Sequence, residues 1–143
     1  MATSDDFLNH NINRLMQDKS EWIMDRVATR GQGQPDRRMT EAEGKIMGTL
    51  RGRELTVSEI ARLRGVSRQA IHRTVTGLVE KGYVRLDPAP GSERDKIVVI
   101  TAEGQKLRRQ VGQRLKKVED KIAKAIGKDR LEALRSVLME DWD

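Results

Sequence analysis

The stretch from Thr56 to Tyr83, TVSEIARLRGVSRQAIHRTVTGLVEKGY, restricts the fold of this chain more than any other. It holds two short helical patterns separated by a turn of about four residues. Thr56 and Glu59 stand in capping-box spacing, so the first helix starts with orphan amides satisfied before Ile60, Ala61 and Leu63 supply apolar periodicity. Gly65 stops it, because glycine enters the left-handed region without steric penalty, and Ser67 re-caps a second helix. Small Ala61, one turn before Gly65, lets the two axes cross closely. On the second helix Ile71, Val75, Leu78 and Val79 share one face and are expected to point inward. The other face carries Arg68, Gln69, His72, Arg73 and Thr76.

Downstream, Lys81-Gly82 closes the helix and Tyr83-Val84-Arg85-Leu86 alternates as a strand. The run Asp87-Pro88-Ala89-Pro90-Gly91-Ser92 is expected to continue neither helix nor ladder. Ile97-Val98-Val99-Ile100, β-branched throughout, reads as the returning strand. The two strands make a hairpin wing with Arg94 and Lys96 at its tip, where a long cation can enter a DNA minor groove. A helix pair of this kind places its second helix in the major groove. There arginine pairs with guanine, glutamine with adenine, and the threonine methyl touches the thymine methyl. The plainer reading is a solvated helix face and a loop of locally paired charges. The joint occurrence of cap, glycine turn and polar comb favours DNA.

These residues resemble the multiple antibiotic resistance regulator (MarR) family of winged-helix transcription factors. The similarity covers about residues 39–107, through MTEAEGKIMGTL, then LTVSEIARLRGVSRQAIHRTVTGLVEKGYVRL, then the wing leading into VVITAEGQKL. It implies a mainly α fold with a small β wing. A winged helix-turn-helix region at 39–100 would lie within a single 1–143 domain, flanked by dimerisation helices at 4–30 and 101–143. It matches Arg94 to the arginine that family members place in the minor groove. Two departures stand out: Glu43 replaces the usual glutamine after Met39-Thr40-Glu41-Ala42, and Ser92 replaces the wing aspartate two residues before Arg94. Arg94 is then either held less rigidly or held by Asp95. The resemblance also implies an effector, often a small phenolic or other aromatic anion. Trp22, Met16, Met24, Met39 and Met47 are candidates to line its cleft, with plain core as the favoured reading. Only four aromatic side chains occur in the chain, which disfavours a large aromatic pocket.

A net charge of +6 and a pI near 9.9 favour an anionic partner. The surplus is uneven: zero over 1–39, +3 over 40–99, +6 over 100–128 and −3 over 129–143. Most of it therefore lies on the helix after the wing, which either flanks the DNA backbone or exposes a solvated cationic face. Without cysteine there are no disulfides, thiolate metal sites or thiol-based sensing. No apolar run approaches the roughly 18 residues that span a bilayer, and the polar start is no signal peptide. The expected location is the cytoplasm.

The remaining segments read as scaffolding. From about Ser4 to Ala28, Leu8, Ile12, Leu15, Trp22, Ile23 and Val27 recur at helical intervals. After Thr101, a candidate cap, Leu107, Val111, Leu115, Val118, Ile122 and Ile126 form a long seam. Gly127 ends it, Asp129 is a candidate cap, and Leu131, Leu134, Leu138 and Trp142 give a last helix its stripe. A winged region of this size cannot cover three stripes, so a second copy is expected to complete the burial. The glycine-rich, polar run from Arg30 to Arg38 reads as a flexible connection, with Arg37 and Arg38 more simply solvated than on phosphates. Gly44 and Gly48, one turn apart, are expected to allow a close helix crossing.

Catalysis has little support. His10 and His72 lie on different helices without ligands in register, and neither a thiol nor a phosphate-cradling glycine loop is present. No metal, cofactor or catalytic residue is expected. The sequence thus points to a homodimeric, sequence-specific regulator, most simply a repressor, on a pseudo-palindromic double-stranded operator. Its reading residues are Ser67, Arg68, Gln69, His72, Arg73, Thr76, Arg94 and Lys96. The competing reading is a winged-helix protein-interaction adaptor. An RNA or single-strand binder would stack bases on exposed aromatics, for which Tyr83 is the one candidate.

Overall fold

The computed structural model describes residues 4–27 and 39–143. Their elements are α1 (Ser4–His10), α2 (Ile12–Val27), α3 (Glu41–Leu50), β1 (Leu55–Thr56), α4 (Val57–Arg64), α5 (Arg68–Glu80), β2 (Val84–Pro88), β3 (Lys96–Ile100), α6 (Ala102–Ile126) and α7 (Lys128–Met139). The described residues fall into two compact units, one within 39–109 and one combining 4–27 with 110–143. The connection from Arg30 to Arg38, with Arg37 and Arg38, lies outside the described residues.

In the first unit three helices and a three-stranded antiparallel sheet enclose one core, whose fully buried side chains are Leu50, Ile60, Val75, Leu78, Val84 and Val98. Each helix start is satisfied locally. Thr40 and Glu43 form a reciprocal capping box on α3, Thr56 and Glu59 do the same on α4, and the Ser67 hydroxyl oxygen accepts from the Ala70 amide on α5. Gly65 leaves α4 at φ 65°, where its own amide donates back to Arg62. Ala61, Ile71, Val75 and Leu78 are buried as their spacing requires, but Val79 is 39 % exposed. One residue past Leu78 it has turned about 100° around the helix, beyond the inward stripe.

The strand order is β1-β3-β2, with Leu55 opposite Val98 and Thr56 opposite Ile97. Sequence periodicity missed β1, since two residues are too few to alternate. β2 also runs further than its composition implies: Asp87 pairs with Ile97 and Pro88 with Lys96. Pro88 is tolerated because β2 is an edge strand and the proline ends it. The expected close crossing at Gly44 and Gly48 does not occur, for a Cβ at either would meet nothing within 4 Å. Among the described residues the tight glycines are Gly52, where a Cβ would lie 2.7 Å from the Arg108 guanidinium, Gly77, where it would lie 2.6 Å from Glu43 Oε1, and Gly104, where it would collide with the Tyr83 carbonyl. Tyr83 is itself core, so it offers no exposed stacking platform.

In the second unit the expected single N-terminal helix is two. Asn11 breaks it, donating to the Phe7 and Leu8 carbonyls and accepting from the Arg14 amide. Val27 and Val118 are buried, while Met16 and Met24 are largely exposed rather than core. Met39 and Met47, by contrast, belong to the winged core. Trp22 carries the Arg26 guanidinium 3.6 Å from its ring centroid. Thr101 caps α6 by accepting from the Gly104 amide. Arg135 of α7 donates to Glu119 of α6 through both terminal guanidinium nitrogens and to Glu132 through Nε, and these carboxylates push its pKa up. The N-cap of α7 is Gly127, not Asp129, which sits inside the first turn. Trp142 lies beyond α7 and its indole donates to the Val137 carbonyl, so it does not extend the helical stripe.

Candidate nucleic-acid interface

Because α5 buries Ile71, Val75 and Leu78, its opposite face is turned to solvent, and Ser67, Arg68, Gln69, His72, Arg73 and Thr76 are all exposed. The β2–β3 hairpin brings Arg94 and Lys96 alongside. Arg68, Gln69, His72, Arg73, Arg94 and Lys96 then line one open cleft, floored in part by Val57 at the start of α4. Six of the eight residues picked out from the sequence are therefore together. Ser67 is occupied at the helix start, its oxygen accepting from Ala70 and its proton still able to donate outward. Thr76 lies outside the cleft lining; its hydroxyl donates to the His72 carbonyl, leaving its methyl for apolar contact.

Lys96 differs from its expected place. It opens β3 opposite Pro88, so its backbone is held in the ladder rather than in the wing tip. Asp95 differs too, since its ion-pair partner is Arg68, at 3.9 Å, and not Arg94. Burial works to raise the Asp95 pKa, but the Ser58 hydroxyl and amide, the Lys96 amide and the Arg68 charge outweigh it and hold the carboxyl below the ordinary aspartate value. Ser92, at the position of the family aspartate, instead accepts from the Asp95 amide and closes the wing turn. Four cations thus surround a cleft with one nearby carboxylate, a field suited to a polyanion.

A second feature escaped sequence reading. Glu43 is 5 % exposed, and Lys81 Nζ donates to both its oxygens at 2.9 and 2.6 Å, tying the start of α3 to the end of α5. Gly77 leaves room for that carboxylate. The available signal was a glycine in the middle of an otherwise strong helix, one turn before a lysine. Among the described residues no group of His, Cys, Asp and Glu could hold a metal ion, and no helix is long and apolar enough to cross a membrane.

A model of the MarR family matches residues 39–95, the span that runs from just before α3 to the wing turn ahead of β3. Over residues 39–95 the chain is similar to the MarR family. Uncharacterised proteins from Mycobacterium tuberculosis and Mycobacterium bovis are 29 % identical over 99 residues, 69 % of this chain and 69 % of theirs. Among solved structures, wild-type MarR from E. coli without ligand is similar with a TM-score of 0.65 at 22 % identity, covering 90 % of this chain and 95 % of that one. A mutant MarR from E. coli complexed with operator DNA gives 0.62 at 22 %, covering 89 % and 87 %. NadR in complex with 4-hydroxyphenylacetate gives 0.64 at 22 %, covering 90 % of each. At these identities the likeness is one of fold, the MarR transcriptional-regulator fold.

Proposed function

We propose that this chain is a non-enzymatic, sequence-specific double-stranded-DNA-binding regulator that acts in the cytoplasm as a homodimeric repressor. The observation that carries the reading is the cleft itself: an exposed polar helix face and two wing cations converge on one surface. Gln69, Arg73 and His72 read base edges, Thr76 offers its methyl, Ser67 and Arg68 anchor phosphates, and Arg94 and Lys96 engage the adjacent minor groove. The similarity in fold to a mutant MarR from E. coli complexed with operator DNA supports the DNA-binding reading. α1, α2, α6 and α7 make the dimer, a reading supported by the exposure of Phe7, Leu8, Ile12, Leu134, Leu138 and Trp142. A second copy sets two α5 helices on half-sites about 10 to 10.5 bp apart.

Selection of bound fragments from random DNA tests this directly. A pseudo-palindrome should emerge, with log affinity falling against log salt at a slope of roughly −5 to −9 if six to ten phosphates are neutralised. Recovery of no common sequence at low salt rejects the regulator in favour of an adaptor. A small aromatic acid is the effector class to test, supported by the similarity to NadR solved with 4-hydroxyphenylacetate. A rise in melting temperature with loss of operator binding is the expected response; no response to a panel of such acids rejects it.

A further inference from the structure

Asp95 stands between the two wing cations in sequence, yet it is directed to a different place. Its carboxylate faces Ser58 in the first turn of α4, receives the Lys96 amide at 3.1 Å, and stands 3.9 Å from the guanidinium of Arg68, the first residue of α5. Its own amide donates to Ser92 and its carbonyl accepts from Ala89, so the wing turn is closed upon it. One side chain therefore touches the starts of both helices of the pair while its backbone belongs to the wing. A carboxylate against a helix N-terminus also meets the positive end of that helix.

We propose that Asp95 is a positioning residue that latches the wing onto the starts of α4 and α5, so that Arg94 and Lys96 face Gln69 and Arg73 across the cleft. The inference rests on the DNA-binding reading above. Without the latch the wing swings free on the β2–β3 hairpin, and its cations lose the fixed offset from α5 that simultaneous contact with two grooves demands. Arg68, held by the same carboxylate, is committed to the latch and the nearby phosphates and not to base edges. Its side chain stays 57 % exposed, which leaves its outer nitrogens accessible to a phosphate.

The test is footprinting of the 143-residue chain on the operator selected by the wild type, with hydroxyl radical for the minor groove and dimethyl sulfate for guanine N7 in the major groove. Asp95→Ala should keep the N7 protection, lose the flanking minor-groove protection, and weaken binding at least about tenfold, since the latch places two cations and one lost contact alone is worth about that much. Combined with Arg94→Ala it should lose less than the sum of the two single losses, because part of what each change removes is the same Arg94 contact. Unchanged minor-groove protection in Asp95→Ala, or additive losses in the double variant, overturns the latch. Absence of any protection by the wild type overturns the DNA-binding reading as well, which separates the two failures. If Asp95→Ala does not melt cooperatively, Ser58→Ala decides on the same two readouts, since it removes one partner of the latch without altering the wing.

Discussion

Replacing Glu43 by alanine should destabilise the winged unit more than any surface change. The Glu43 side chain is 7 % exposed and the Lys81 side chain 19 %, with Nζ donating to both carboxylate oxygens. Breaking a buried pair by removing one member costs about 3–5 kcal/mol. Lys81 keeps some access to water, which softens the loss, and about 2–3 kcal/mol is expected from the same range. For a chain of this size that is a fall in melting temperature of about 5–10 °C. Glu43 Oε2 also accepts from the Thr40 amide at 3.2 Å, so the capping box on α3 goes with it. Glu43→Gln preserves the shape and one acceptor and should cost about 1–2 kcal/mol, near that of a hydrogen bond to a charged group. The assay is a thermal and urea double-mutant cycle with Lys81→Met. A coupling of about 1–3 kcal/mol supports the reasoning, and singles that add within about 0.5 kcal/mol refute it.

Gly77→Ala, ordinarily stabilising in a helix interior, should destabilise by about 1–2 kcal/mol because the new methyl displaces Glu43; an increase in urea midpoint contradicts this. Gly104→Ala should cost at least about 3 kcal/mol, since the obstacle is the Tyr83 backbone and not a flexible side chain, and a wild-type melting curve would exclude that clash. Gln69→Ala and Arg73→Ala should relax sequence preference at a cost of about 1–3 kcal/mol on the selected operator, whereas equal losses on operator and random DNA would show that they do not read bases. The depressed Asp95 pKa stabilises the folded chain fully above the ordinary aspartate value of 3.8, and that stabilisation is lost as pH falls below it through the folded value. The stability gap between wild type and Asp95→Asn should therefore be flat from neutral pH down to that range and shrink below it; a gap that changes near neutrality assigns the titration to another group.

What could be read from the chain alone was what neighbours three or four residues apart decide: the capping box at Thr56, the left-handed exit at Gly65, the Ser67 cap and the polar face of α5. Such features depend on local hydrogen bonds and helical period, so they are written in consecutive letters. Six of the reading residues, spread over two elements, could be named because a hairpin following a helix pair has few places to go. Side chains that join distant segments were not legible. The Glu43–Lys81 bridge spans 38 residues, β1 has no period to detect, and Asp95 chose Arg68 and Ser58 over its neighbour Arg94. Val79, Gly44 and Gly48 fell the other way, apolar or small residues whose spacing promised contacts that the packing does not make. Periodicity specifies which face of an element is oily; only the assembled core decides how wide that face is and which polar atoms meet across it.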